Sequence, residues 1–228
     1  MKLLSIVVLS IALLSVACED PSANKPQAKT SDPVANSDNG TSQNTSDDNA
    51  SSNNSADPAK GEKLPISPEN SKVEFTGSKV TGKHEGGFKA FSGTIDLVDG
   101  KVENSGVNVE IDMKSVFTDA DGLTEHLKTG DFFEIEKHPK STFESTKIVS
   151  DPAGGENTYT VTGNLEMRGI KKSVTFPAKI VVGDENVNVD AEFSINRKDF
   201  GIVYAGKADD LIRDGVVIRL NLKSPRKK

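Results

Sequence analysis

The sequence predicts a mainly β domain, an eight-stranded antiparallel barrel or sandwich with a short helix and loop capping one end. Apolar residues recur at every second position in run after run, and turn residues separate the runs. Helical spacing is confined to one stretch, Asp119 to His138. The remaining length, from about Lys63 to Lys223, suits a single domain with a sizeable core.

The chain opens with Lys2 and an apolar run from Leu3 to Ala17, too short to span a bilayer and ending in a small residue before Cys18. Residues 1–17 therefore read as a secretory signal peptide. Leu14-Ser15-Val16-Ala17-Cys18 resembles a bacterial lipobox, in which the cysteine becomes the first mature residue and carries acyl groups; here Leu stands one place earlier than usual. Cys18 is the single cysteine, so no internal disulfide forms, and acylation accounts for an otherwise free thiol in an oxidising compartment. An ordinary cleaved signal peptide or an uncleaved anchor helix is the alternative. Residues 18–62 read as the lipidated cysteine and a disordered tether, because residues 19–62 hold no aromatic residue and Val34 is their only branched aliphatic. As a coil such a tether spans about 35–40 Å.

Residues 63–228 form the folded domain. Its strands are expected at Val73 to Val80, Phe88 to Val98, Val107 to Met113, Ser141 to Val149, Tyr159 to Met167, Ser173 to Val182, Val187 to Ile195 and Val216 to Leu222. Turn signals fall at Val98-Asp99-Gly100, Asp151 to Gly155, Arg168 to Lys171 and Val182 to Glu185. Leu123, His126 and Leu127 predict a short helix after Asp121, and Phe132 and Phe133 follow in a loop ending at Pro139. The basic end Lys223 to Lys228 reads as a solvated tail or a contact for anionic headgroups.

A barrel of this size is either filled by side chains or holds one apolar ligand. All ten Phe lie in the domain, while small inward residues such as Ala191 and Gly163 are compatible with a void. Both readings fit the pattern. If a ligand is held, the alternation nominates Phe88, Ile95, Leu97, Val109, Ile111, Met113, Phe143, Leu165, Met167, Phe176 and Phe193 as its contacts, and the cap nominates Leu127, Phe132 and Phe133. Plain core packing is the alternative for each.

The block Leu123-Thr124-Glu125-His126-Leu127-Lys128-Thr129-Gly130-Asp131-Phe132-Phe133, continuing to His138-Pro139, resembles the signature of the YceI-like proteins. Ser141 to Ser145, Gly163 to Ile170, Phe193 to Gly201, Ser71 to Phe75 and Gly87 to Gly93 match in the same order, so the resemblance covers about Ile66 to Leu222. It implies an exported, lipocalin-like extended barrel that binds a polyisoprenoid chain, some members holding quinone-type ligands, and a tendency to pair as a homodimer. Two departures stand out. The family's histidine-rich stretch is reduced to Gly82-Lys83-His84-Glu85-Gly86-Gly87, and Thr118 to Gly122 is short.

The formal charge of −6 argues against nucleic-acid binding, which relies on basic patches. His84, His126 and His138 lack metal-ligand spacing, and no Gly-x-Ser-x-Gly elbow, phosphate loop or cysteine pair occurs, so no catalytic residue, metal or resident cofactor is expected. His138-Pro139 reads as a structural turn and Arg197 with Asp199 as a salt-bridged turn near a barrel mouth. Three functions follow. The first is a membrane-tethered envelope carrier of an isoprenoid lipid or quinone, facing the periplasm. The second is a subunit of an isoprenoid-linked enzyme. The third is an interaction module with a filled barrel.

Overall fold

A computed structural model describes residues 19–34 and 61–226. The signal segment, Cys18 and residues 35–60 lie outside the described residues. In chain order the strands are Lys29–Ser31 (β1), Gly61–Ile66 (β2), Lys72–Ser78 (β3), Lys83–Phe88 (β4), Phe91–Val98 (β5), Lys101–Asp112 (β6), Val116–Thr118 (β7), Lys140–Ser150 (β8), Thr158–Met167 (β9), Ile170–Val182 (β10), Asn186–Asn196 (β11), Gly206–Lys207 (β12), Asp210–Leu211 (β13) and Gly215–Pro225 (β14). One short α-helix, Asp121–Leu127 (α1), follows β7.

Twelve strands form one curled antiparallel sheet in the order β2-β5-β6-β8-β9-β10-β11-β14-β3-β4-β7, with β1 joined to β10, while β12 and β13 pair separately. The curl brings β2 against the end of β14, where Ser224 Oγ donates to the Pro65 carbonyl at 2.5 Å and Arg226 Nε donates to Glu62 at 3.0 Å. Eight strands, β2 to β14 in that order, thus wrap the core, and β3, β4 and β7 continue the sheet past β14. The mainly β, lipocalin-like architecture matches the alternation in the sequence. Two-residue turns Asp99-Gly100 and Arg168-Gly169 join β5 to β6 and β9 to β10. Both residues of each have positive φ (53° and 68°, 52° and 71°), as the twist of a tight hairpin demands.

Four expectations need correction. The expected run Phe88 to Val98 is two strands, β4 and β5, broken at a corner where Lys89 and Ala90 donate to Ser115. The basic end is not a free tail through Arg226: β14 reaches Pro225, Ser224 is fully buried, and Arg226 also donates to the Gly183 carbonyl at 2.8 Å. Gly163 leaves no void, because the Phe143 ring covers it: a Cβ there would stand 2.4 Å from Phe143 Cζ.

The fourth concerns the start of the tether. Residues 19–34 are packed on the domain. β10 pairs with β11 only from Lys179 to Val182, and with β1 from Ser173 to Thr175. Pro177 stands between the two stretches, and without an N–H it cannot continue a ladder. The N-terminal segment fills the resulting opening. Ala28 N donates to Ser194 O at 2.8 Å, Ser194 N donates to Pro26 O at 2.9 Å, and Thr30 Oγ1 donates to Asp199 at 2.6 Å. A segment with little apolar content is held here by backbone pairing, which its composition does not reveal.

Candidate functional site

The inward row of each strand faces a cavity rather than a fully filled interior. A narrow tube of about 170 Å³ runs along the barrel with an apolar wall. Phe143, Phe176 and Phe193 form one side, Phe176 stacking on Phe193 at 4.1 Å and tilting against Phe143 at 5.8 Å. Leu97, Val102, Val182, Val187 and Leu222 line it toward the β5–β6 and β10–β11 turns.

A wider cavity of about 480 Å³ sits at the other end, beneath α1 and the segment 202–214. Phe75, Phe88, Met167, Ile195 and Ile218 line both spaces, so the two adjoin across these side chains. Phe88 lies 5.8 Å from Phe75 and 6.2 Å from Phe133 between ring centres. A second cluster joins His126, Phe132 and Tyr204, with centroids 5.0 to 5.5 Å apart and rings edge to face. The wide cavity reaches the surface at Gly122 and Lys207, both exposed.

All fourteen nominated residues border this space. Ile95, Leu97, Val109, Ile111, Met113, Phe143, Leu165, Phe176 and Phe193 line the tube, Leu127, Phe132 and Phe133 the wide part, and Phe88 and Met167 both. The nominations omitted Phe75, Ile202, Tyr204 and Ile212. Phe75 was legible, two residues past the inward Val73; the other three belong to a segment without alternation.

That segment is a lid held by Arg197. The guanidinium is 4% exposed and donates to the carbonyls of Ile202 (2.7 Å), Tyr204 (2.8 Å), Ile212 (3.3 Å) and Arg213 (3.1 Å), and to Asp214 Oδ1 at 3.2 Å. The expected Arg197–Asp199 turn is therefore corrected: Arg197 pairs with Asp214, and Asp199 accepts from Thr30. A planar five-donor fork suits gathering several carbonyls. Lys79 and Thr81 both bond Asp210, tying the lid to the β3–β4 turn, and the Lys79 bond holds the Asp210 carboxyl below the usual range.

The rim carries two histidine–carboxylate pairs. His84 Nδ1 and Asp119 Oδ1 are 2.8 Å apart, as are His126 Nε2 and Asp131 Oδ2. The His84 bond lowers the Asp119 pKa. His138 lies in the turn near Glu134, 3.8 Å away, with its ring against Gly169. Among the described residues no group of His, Cys, Asp or Glu is placed to hold a metal ion, and no helix is long and apolar enough to cross a membrane.

A curled antiparallel sheet around an apolar tube with a lidded mouth defines a lipocalin-like barrel. The YceI-like domain family matches residues 65–224, and the chain belongs to that family. It is 34% identical over 123 residues to a UPF0312 protein of Pseudomonas putida (strain GB-1), covering 51% of this chain and 62% of that protein. It is 35% identical, over the same shares, to Protein YceI of Escherichia coli O6:H1. The chain thus spans under two thirds of these relatives. Among solved structures, Burkholderia cenocepacia BcnA is similar with a TM-score of 0.63 and 25% identity, over 69% of this chain and 98% of that one. A polyisoprenoid binding domain from Saccharophagus degradans shares the fold, with a TM-score of 0.57 and 16% identity over 72% and 99%.

Proposed function

We propose that this protein is an envelope lipoprotein, acylated at Cys18, that holds an isoprenoid lipid or isoprenoid quinone in its barrel for carriage or storage near a membrane. The observation that carries the reading is the apolar tube lying against a wider, partly polar cavity at the mouth, with a shared wall of five apolar residues. A lipid with a long branched tail and a compact head has the same division. Each methylene buried in the tube contributes about 0.8 kcal/mol, so the tail is held without polar contacts. The head then meets His84, His126, Tyr204 and Lys207 in the wide part, whose volume falls in the range of ordinary ligand pockets. The Saccharophagus domain named for polyisoprenoid binding supports this reading through its shared fold.

Binding accounts for the site better than catalysis. The tube wall is apolar almost throughout, which suits holding a hydrocarbon tail, and the two histidine–carboxylate pairs lie at the mouth, where a polar head would sit. The test is native mass spectrometry of the exported full chain, followed by organic extraction. A released polyprenyl compound is the expected result, and its mass gives head and chain length. A chain that is empty and takes up neither polyprenol nor quinone refutes the reading.

A further inference from the structure

The packed N-terminal segment arrives at the mouth end of the barrel. Ser22 donates from N and Oγ to Asp20 Oδ1 at 2.9 and 2.8 Å, closing a turn. Asp20 reaches Arg213 Nη1 at 3.6 Å, and Lys25 Nζ bonds Glu192 at 2.7 Å. Ser22 lies so close to Gly215 that a Cβ there would stand 2.3 Å from its hydroxyl. Arg213 lines the wide cavity, and Gly215 opens β14 beside it. Asp20 is thereby held beside the lid, and Glu19 and Cys18 are the residues that precede it in the chain.

An independent feature marks the same end. Val80, Val203 and Leu211 are 53%, 66% and 48% exposed. Val203 alternates with the inward Ile202 and Tyr204, and Leu211 with Asp210 and Ile212, so both lie on the outer face of the lid. Val80 N donates to the Leu211 carbonyl at 3.1 Å, joining the β3–β4 turn to this face. Exposed Lys207 stands beside them on the rim. Branched apolar tips flanked by a long cation suit the interface of a bilayer, where the side chain enters and the ammonium meets headgroup phosphates.

We propose that this end, with Val80, Val203 and Leu211 at its surface, is the face that rests on a lipid bilayer, so that the wide cavity opens toward the headgroups. The proposal rests on the lipoprotein reading above. The occupant is a bilayer because the chain leaves the domain here toward an acylated cysteine. An anchor attached beside the mouth holds this end down, whereas a 35–40 Å coil would leave orientation free. A tail then passes between membrane and tube without crossing water.

The test uses the acylated full chain in vesicles of phosphatidylethanolamine and phosphatidylglycerol. Single variants Val203→Cys, Leu211→Cys, Val149→Cys and Val181→Cys are labelled with a nitrobenzoxadiazole maleimide. Acylation blocks Cys18, so only the introduced thiol reacts. Val149 and Val181 are exposed near the opposite turns, and none of the four substitutions removes a core residue. Lipids carrying a doxyl quencher are expected to quench positions 203 and 211 and to leave 149 and 181 bright. Equal quenching at both ends, or quenching at 149 and 181 alone, overturns the orientation. Extraction of lipid from the same protein is scored separately. Mouth-end quenching without an isoprenoid refutes the carrier reading and upholds the orientation, and an isoprenoid with uniform quenching does the reverse. A chain whose Cys18 thiol takes the label overturns the lipoprotein reading and the orientation that rests on it.

Discussion

Ala178 offers a direct test of whether the barrel holds open space. It is the smallest member of the inward row Val174, Phe176, Ala178, Ile180 and Val182 on β10, is 3% exposed, and lines the tube. In Ala178→Phe an aryl ring enters a space of about 170 Å³. A void of about 150 Å³ accommodates benzene, so one ring takes up most of the tube. At about 24 cal/mol per Å³ of cavity, filling it is worth about 3–4 kcal/mol. Strain from imperfect fit subtracts about 1–3 kcal/mol. The delipidated variant should be as stable as the parent or up to about 3 kcal/mol more stable, read as a higher urea midpoint at unchanged slope. The same ring should abolish uptake of a long polyprenol. A barrel already filled by side chains gives the opposite result, a loss of about 1–3 kcal/mol from overpacking alone. Destabilisation with unchanged lipid uptake would refute both the tube and its role.

Arg197→Met removes a buried fork that binds four carbonyls and Asp214; at about 1–3 kcal/mol for a carbonyl left buried without its donor, a loss of at least about 2 kcal/mol is expected, and amide exchange over residues 202–214, rising before the rest of the barrel, reports it. Lys79 and Thr81 hold the folded Asp210 pKa below its unfolded value, so the lid tie is present above the unfolded value of about 3.9 and lost as pH falls through the lower folded pKa. Lid protection, taken as the exchange rate relative to the intrinsic rate at each pH, should hold from pH 6 downward and fall only toward the acid end at pH 3, and Asp210→Asn should be weakly protected throughout. Deleting residues 19–34 strips β1 from Ser173 to Thr175 and the pairing at Ser194; at about 1 kcal/mol per bond the loss should be about 2–4 kcal/mol, with new exchange at those residues and oligomers from the freed edges in light scattering.

Most of the barrel was legible because each strand has one face toward the core, and the face that packs is also the face that borders a cavity. Val187, Val189, Ala191, Phe193 and Ile195 announce β11 by period two alone. The same rule found the tube residues. It could not distinguish a cavity from a filled core, since Gly163 looked empty and is covered by a ring from the neighbouring strand. Elements held by backbone rather than by side-chain burial were hidden. β1 has a single buried apolar neighbour, Ala28, and its place is created by Pro177 well over a hundred residues away. β2 buries Leu64 and Ile66, but Pro65 between them and the polar run before them hid the strand, although Lys63 onward read as part of the domain. The lid depends on Arg197 reaching main-chain oxygens up to Asp214, and sequence proximity pointed instead to Asp199.

The two places where this sequence departs from its family resemblance, Gly82 to Gly87 and Thr118 to Gly122, are far apart in the chain and meet at one point of the fold. β4 pairs with β7 through Gly86 and Thr118, and His84 bonds Asp119 across the same rim, at the surface opening of the wide cavity. The tube, by contrast, is built from residues that read in register with the resemblance. On the proposed lipid-binding reading, a barrel of this design separates two kinds of selectivity. The tube responds to tail length, because each added methylene adds about the same increment until the apolar space is full. The rim responds to the head, because a histidine–carboxylate pair and a nearby ammonium discriminate between a hydroxyl, a phosphate and a quinone oxygen. Ligands sharing one head should therefore gain affinity with chain length and then level off. Ligands of one length should sort by head, and changes at His84 or Asp119 should alter that second order while leaving the first intact.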